Sequence, residues 1–299
     1  SEDDPAVAVV ERLRRDFPDV DMDLSVSRSR IGCNPKINNI SNAYPLAKHA
    51  LLLLSDSDIR VERDFLRRAV SPLADPAVGA ATCFYRCAVP KDLCGLLESY
   101  SVNAHFLPQA LAAGAFGMRF AMGAAILVRR EAFERAGGFA RLADHLADDF
   151  ALGAALRDAG DRLEFCEVVV ESVPDLARLP ELMKHQIRSA RTIRVCAPAG
   201  YIGLLLNHGF SLATLGLLLF GWNEPLAFLC AGIWAAKAAA TWTILRMAGG
   251  RHPLLPLLLL PFSEWIAFLA WLSGLQTSKV LWRGERYTIH PRGRLSLAE

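Results

Sequence analysis

Apolar and polar positions follow two different rhythms along this chain, and the change falls near residue 200. Before it, AVAVVERLRRDF (6–17) sets Val7, Val10, Leu13 and Phe17 three or four positions apart, which predicts an amphipathic helix. VDMDLSVS (20–27) alternates with period two and predicts a half-buried strand. YPLAKHA (44–50) predicts a short helix, and LLLLSD (51–56) a strand buried on both faces, the kind found inside parallel sheets. VERDFLRRAVSPL (61–73) then predicts a helix and VGAATCFYRC (78–87) a strand. This alternation over residues 1–175 predicts an α/β unit, a mostly parallel sheet wrapped on both faces. Such sheets bind ligands beyond the carboxyl ends of their strands.

From Tyr201 the polar positions almost vanish. Stretches 201–221 and 225–245 are each long enough to cross ~30 Å of hydrocarbon. A third stretch, 253–275, is interrupted by Pro256 and Pro261. Arg246 and Arg251 follow the second stretch; Lys279, Arg283, Arg286, Arg292 and Arg294 follow the third. Positive-inside placement puts both groups on the cytoplasmic side. Two crossings satisfy that rule and a third would break it. Residues 201–275 are therefore expected to form two spans plus a Pro-broken re-entrant hairpin, with 276–299 a basic cytoplasmic tail. Just before the first span, LMKHQIRSARTIR (182–194) repeats Lys184, Arg188 and Arg191 at helical spacing, with His185 and Arg194 nearby. That predicts a basic amphipathic helix over 176–200 at the membrane interface.

Composition agrees. The chain of 299 residues is 53% hydrophobic with mean hydropathy +0.24, as a membrane region requires. A net charge of +2 without a long basic run excludes nucleic acid as a partner. Seven cysteines, an odd number with no C-x-x-C, indicate neither a disulfide framework nor a zinc ribbon. The chain opens SEDDPA with no strand before it and no signal peptide, so it is expected to be part of a longer protein.

Candidate chemistry concentrates at three places. Asp56 and Asp58 sit one residue apart at the end of the leucine strand, where two carboxylates can grip a hard divalent cation. Asp-Ser-Asp is also the composition of an ordinary surface turn; the strand that feeds it favours the site. Asp148 and Asp149 open a helix in HLADDFALGAALRDAG (145–160), where one serves as ordinary capping and the other is free for general-base work. Ahead of them, the Gly137 and Gly138 backbone can approach a ligand or simply end a helix. Arg188 on the basic helix can face a phosphate or anionic lipid.

Taken in order, DDPA (3–6), GCNPKINNI (32–40), SDSDIRV (55–61), LADDFALG (146–153), HQIRSARTIR (185–194) and LWRGERYTI (281–289) resemble the ceramide glucosyltransferase family and its bacterial relatives. VGAATCFYR (78–86) and RTIRVCAPAGYIG (191–203) look most like the hopanoid-biosynthesis glycosyltransferases among them. The resemblance covers nearly the whole chain. It implies a GT-A-type (Rossmann-like) catalytic domain, preceded in the family by a membrane helix and a first strand. It implies inverting, single-displacement transfer of a hexose or N-acetylhexosamine from a UDP-sugar to a membrane lipid hydroxyl, a hopanoid polyol or ceramide.

By the same resemblance, Asp4 lies near the uridine, with Lys36 and Asn38 along the nucleotide. Asp56 and Asp58 would hold Mg²⁺ or Mn²⁺ against the diphosphate. Asp149 would be the general base and Asp148 its neighbour. His185 and Arg188 belong to the family's Arg-rich motif, whose closing tryptophan is Ser189 here. His105, Gly137 and Gly138 would stand on the acceptor side. The implied setting is a multi-pass protein of the bacterial inner membrane with its catalytic domain cytoplasmic. A processive polysaccharide synthase shares the D-x-D and Arg-rich helix, and a catalytically impaired scaffold is the reading from another class. Cysteine-accessibility mapping is expected to find residue 290 on the catalytic domain's side of the membrane; labelling from the opposite side would overturn the hairpin.

Overall fold

The computed structural model describes residues 4–90, 92–173, 178–249, 255–282 and 284–298. The expected boundary at 175–176 and the arginines 251 and 283 lie outside them. Helix α1 (Pro5–Asp16) begins at Asp4, whose carboxylate accepts the Ala6 N–H at 2.9 Å, with proline at the first helical position. No strand forms over 20–27. Asp21 and Asp23 instead pair with Lys48 at 2.7 and 3.3 Å, and the segment finds no strand neighbour. Helix α2 (Pro35–Ala43) follows, and the short helix expected over 44–50 is a single 3₁₀ turn, Tyr44–Leu46.

The sheet is built from β1 (Leu51–Ser55), β2 (Ile59–Arg60), β3 (Val78–Cys87), β4 (Ala125–Arg129) and β5 (Arg162–Ser172), in the order β1-β4-β3-β5-β2. Here the expectation of a mostly parallel sheet fails. Only β3 and β5 pair in parallel; the other three pairings are antiparallel. The cause is β4, which inserts antiparallel between β1 and β3. Nor is β1 a central strand: among the described residues it pairs only with β4. Leu51 and Leu53 are each 39% exposed, while Leu52 is buried. The apolar run therefore works as an alternating edge strand. Strands β3 and β4 do bury both faces, with Ala80, Ile126 and Val128 in one core and Ala81 and Leu127 in the other.

Helix α3 (Phe65–Ala69) covers one face. Helices α4 (Leu93–Tyr100) and α5 (Leu107–Ala115) are joined through a π-helical turn, Ser101–Phe106. Asn103 in that turn bonds both the N–H and the carbonyl of Cys87, each at 2.8 Å, which anchors the turn to the end of β3. On the other face lie α6 (Arg130–Arg135), α7 (Gly138–Leu142) and α8 (Asp148–Asp158), where Phe133, Leu142 and Leu156 fill the core.

Helix α9 (Leu179–Cys196) leads through α10 (Pro198–Gly203) into the apolar region of α11 (Gly209–Phe220), α12 (Glu224–Met247) and α13 (Leu260–Gly274). Among the described residues, three helical segments, Pro198–Phe220, Glu224–Met247 and Leu257–Gly274, are long and apolar enough to cross a membrane. Pro261 does not fold the third back on itself. It occupies the first turn of α13, where its missing N–H costs nothing. Its N-terminal side packs on the α/β unit, Leu257 and Leu260 meeting Leu96, Tyr100 and Ala104, while its C-terminal end, at Gly274, meets Ala190 of α9. Lys237 of α12 and Glu264 of α13 form a buried ion pair, and Lys237 Nζ reaches His105 Nδ1 at 3.3 Å.

The tail is a folded sheet, which the charge pattern did not predict. Strands β6 (Lys279–Trp282), β7 (Glu285–Ile289) and β8 (Leu295–Leu297) pair antiparallel. Tyr287, Ile289 and Leu295 bury against Cys33, Leu146 and Val195, and the Leu146 N–H bonds the Gly293 carbonyl at 3.0 Å.

Candidate active site

Where β1 ends, a cavity of about 530 Å³ opens, lined by Lys36, Asp56, Asp58, Asp148, Asp149 and His185 among others. Residues far apart in the chain meet here because three junctions converge. The first is the start of α2. Asn34 is fully buried; its Oδ1 accepts the Lys36 and Ile37 N–H groups, and its Nδ2 donates to the His145 carbonyl at 2.7 Å. Asp144 accepts the Cys33 N–H at 2.8 Å. A Cβ on Gly32 would stand 2.5 Å from the Ala143 carbonyl oxygen, so this approach needs glycine. Lys36 is thereby fixed against the segment that leads into α8.

The second junction is the end of β1, where the Asp56 N–H bonds the Ala124 carbonyl at 3.2 Å. Lys36 Nζ lies 2.7 Å from Asp56 and 3.4 Å from Asp148. Burial works against the ammonium, but the Asp148, Asp56 and Asp149 charges outweigh it and raise the lysine pKa. Burial raises the Asp56 carboxyl as well, against the pull of Lys36. Asp58 accepts from the Ser172 hydroxyl at 3.1 Å.

The third is the start of α8. Asp149 keeps some exposed surface, yet its carboxylate is enclosed. It accepts the Gly123 N–H at 2.9 Å and the Phe150 N–H at 2.7 Å. Burial, with the neighbouring Asp148 charge, pushes it up to about 6. A carboxylate tuned to that range can take a proton near neutral pH. Among the described residues, no group of three or more His, Cys, Asp or Glu side chains is placed to hold a metal. Asp56 and Asp58 both line the cavity, and Mg²⁺ commonly takes one or two carboxylates with substrate phosphates completing its shell. That pair fits such a partial site.

Other residues singled out from the sequence stand apart. Asp4 caps α1 on the surface. Asn38 is buried, its amide occupied by the Ile31 and Gly32 backbone, and it supports the 31–34 loop. Arg188 faces the tail, its guanidinium 6.0 Å from the Trp282 ring centre. Gly137 and Gly138 form the left-handed turn between α6 and α7, at φ of 97° and 57°. His105 lines a second cavity of about 190 Å³, bounded by Ser189, Tyr201, His208 and Trp271. Burial and the Lys237 charge press His105 well below the usual histidine range. His185 lines both cavities, with Nδ1 3.1 Å from Glu98.

One family's model matches residues 1–295 of this chain. The chain belongs to glycosyl transferase family 21. It is 22% identical to ceramide glucosyltransferase 1 of Caenorhabditis elegans, over 99% of this chain and 65% of that protein. Against ceramide glucosyltransferase 3 of the same organism the identity is 27%, over 73% of this chain and 51% of that protein. A stretch covering 24% of the chain is 35% identical to 15% of the ceramide glucosyltransferase of Komagataella phaffii. The chain thus spans less than two-thirds of the length of each of these relatives.

For this family 21 member, sequence reasoning passed over Asn34, Asp144, Gly123 and Glu98. Asn34 was legible, since Asn followed by Pro is a helix-start signature. The others act through backbone contacts or distant partners that no local pattern announces. Replacing Asn34 with alanine removes a cap and strands the His145 carbonyl. Thermal or urea unfolding is expected to show a loss of ~1–3 kcal/mol.

Proposed function

We propose that this chain moves a hexose or N-acetylhexosamine from a UDP-sugar to a membrane lipid hydroxyl, with inversion, in a GT-A-type catalytic domain. One observation carries the reading: a cavity walled by four aspartates and a lysine adjoins a second one bordered by the apolar helices. The first suits a nucleoside diphosphate sugar and the second a lipid. Ceramide is favoured as acceptor by the names of the relatives, and a hopanoid polyol is the other candidate. The setting that follows is a bilayer, with the bilayer of the bacterial inner membrane and a cytoplasmic catalytic domain as the specific expectation.

In this reaction the acceptor oxygen bonds to the sugar C1 while the C1–phosphate oxygen bond breaks, and UDP leaves with that electron pair. Asp149 takes the acceptor proton. Lys36 keeps a positive charge between Asp56 and Asp148, beside the departing diphosphate. Asp56 and Asp58 would hold a Mg²⁺ or Mn²⁺ ion, which supplies charge neutralisation for the leaving group when bound. α13, with one end against Leu96 and Tyr100 and the other against α9, would lie along the interface and keep the tail on the catalytic side.

UDP release in detergent or nanodiscs, with UDP-glucose and UDP-N-acetylglucosamine crossed against ceramide and bacteriohopanetetrol, tests the reading. Release in one donor–acceptor combination is expected, and Asp56→Ala should lower it by ~10²–10⁴-fold. No release in any combination would favour the scaffold. The pH profile gives a separate check. Asp149 is raised to about 6, so the rate should fall as pH drops through that value and the base protonates. Asp148→Asn removes a like charge and should move this acid limb to lower pH; a limb that stays in place would remove Asp149 as the base.

A further inference from the structure

A further cavity, of about 290 Å³, shares no lining residue with the two of the candidate site. It lies between the α/β unit and the end of α12, with Arg60, Phe65 and Arg68 on one side and Met247 and Ala248 on the other. The last turn of a helix long and apolar enough to cross a membrane thus stands beside α3. Lipid headgroups around that end of α12 are level with α3.

Phe65 and Ala69 turn into the core, which sends the rest of the segment outward. Arg63, Leu66 and Arg67 follow at the spacing of one helical row. Leu66 is 58% exposed, Val61 47% and Met247 83%. Val61 and Met247 share the cavity and Leu66 adjoins it through Phe65, so the three form a patch and not the single exposures of an ordinary surface. Four arginines in residues 60–68 stand against two acids, Glu62 and Asp64. Arg60 pairs with Glu171 at 3.0 Å, which Arg86 also binds, and Arg68 lies 3.8 Å from Asp64. Glu62 and Glu167 are the other acids at the cavity. The Arg63 and Arg67 side chains are exposed and form no ion pair or hydrogen bond with another described residue. Arg246, in the last turn of α12, lies 5.3 Å from the Trp242 ring centre.

We propose that this face, formed by Val61, Arg63, Leu66 and Arg67 with Arg246 and Met247, docks on anionic phospholipid headgroups of the bilayer that α12 enters. Apolar tips enter the headgroup layer while guanidinium groups take its phosphates. A second copy of this chain fits the face poorly, because it would bring like charges together. The inference rests on the membrane setting proposed above and adds a lipid class and a docking face. β2 runs from Asp58 directly into this face, so the headgroup layer bears on the strand that follows the acid pair.

The test uses the full chain in nanodiscs of phosphatidylcholine, with or without phosphatidylglycerol, carrying the photo-crosslinker p-benzoylphenylalanine at one position. With Leu66→p-benzoylphenylalanine, mass spectrometry is expected to find lipid adducts enriched in phosphatidylglycerol over its share of the bilayer. Adding Arg63→Gln and Arg67→Gln should lower the phosphatidylglycerol adduct yield by ~5-fold for each arginine. Glu131→p-benzoylphenylalanine, on α6 against the opposite face of the sheet, should give no lipid adduct. Phe228→p-benzoylphenylalanine reports whether α12 itself lies in lipid, since Phe228 is exposed on that helix. If position 228 crosslinks to lipid, the proposal is overturned by no lipid adduct at 66 or by adducts there that ignore phosphatidylglycerol. A yield unchanged by the arginine substitutions, equal adducts at 131, or a crosslink from 66 to a second copy overturns it as well. No lipid adduct at 228 instead overturns the membrane setting and the inference with it.

Discussion

Asp56, Asp58, Asp148 and Asp149 line one cavity, where reduced solvation strengthens their mutual repulsion. Lys36 is the counterweight, within 3.4 Å of two of them. Its position depends on α2, and α2 is positioned by Asn34, which both caps that helix and bonds the His145 carbonyl three residues before Asp148. One asparagine thus sets both sides of the charge cluster. The raised Asp149 carboxyl follows from the same crowding, because burial and a like charge act on it together.

The basic helix α9 shows how tertiary context redirects charge. A row of arginines before an apolar region suggests contact with anionic lipid. Here Arg191 donates to the Lys279 carbonyl at 2.6 Å, and Arg194 donates to the Thr277 carbonyl and the Ser278 hydroxyl at 3.1 and 2.8 Å. Arg188 lies over Trp282. These cations hold the tail sheet against α9, whose other residues, His185 and Ser189 among them, line the cavities. The helix is therefore shared by the tail, the first cavity and the apolar region. The π-helical turn carrying His105 does similar work, anchored to β3 through Asn103 and to the Lys237–Glu264 pair.

Local pattern was a good guide where the physics is local. The α/β character, β1, β3, the helix from Pro5 and the three apolar segments all follow from periodicity, proline position and hydropathy. Each acid pair falls at the end or start of a regular element, as periodicity indicates, but the meeting of the two pairs in one cavity is tertiary. Membership of glycosyl transferase family 21 was legible in the ordered motifs. The pairing direction was not: a strand buried on both faces has the same apolar sequence whether its neighbours run parallel or antiparallel. Strand 20–27 failed because alternation alone supplies no partner for its backbone.

By itself, then, the sequence determined which segments are helical, extended or membrane-compatible, and which acids close those segments, because these depend on neighbours within a few residues. Tertiary structure decided that β4 enters antiparallel, that β1 is an edge among the described residues, that the basic tail becomes a sheet, and that Arg188 faces that sheet. It also brought Glu98 against His185 and Asn34 against His145. Glu98–His185 and Asn34–His145 join residues 87 and 111 positions apart, and β1 meets β4 across 70 to 78 positions, contacts whose energy a local pattern does not encode.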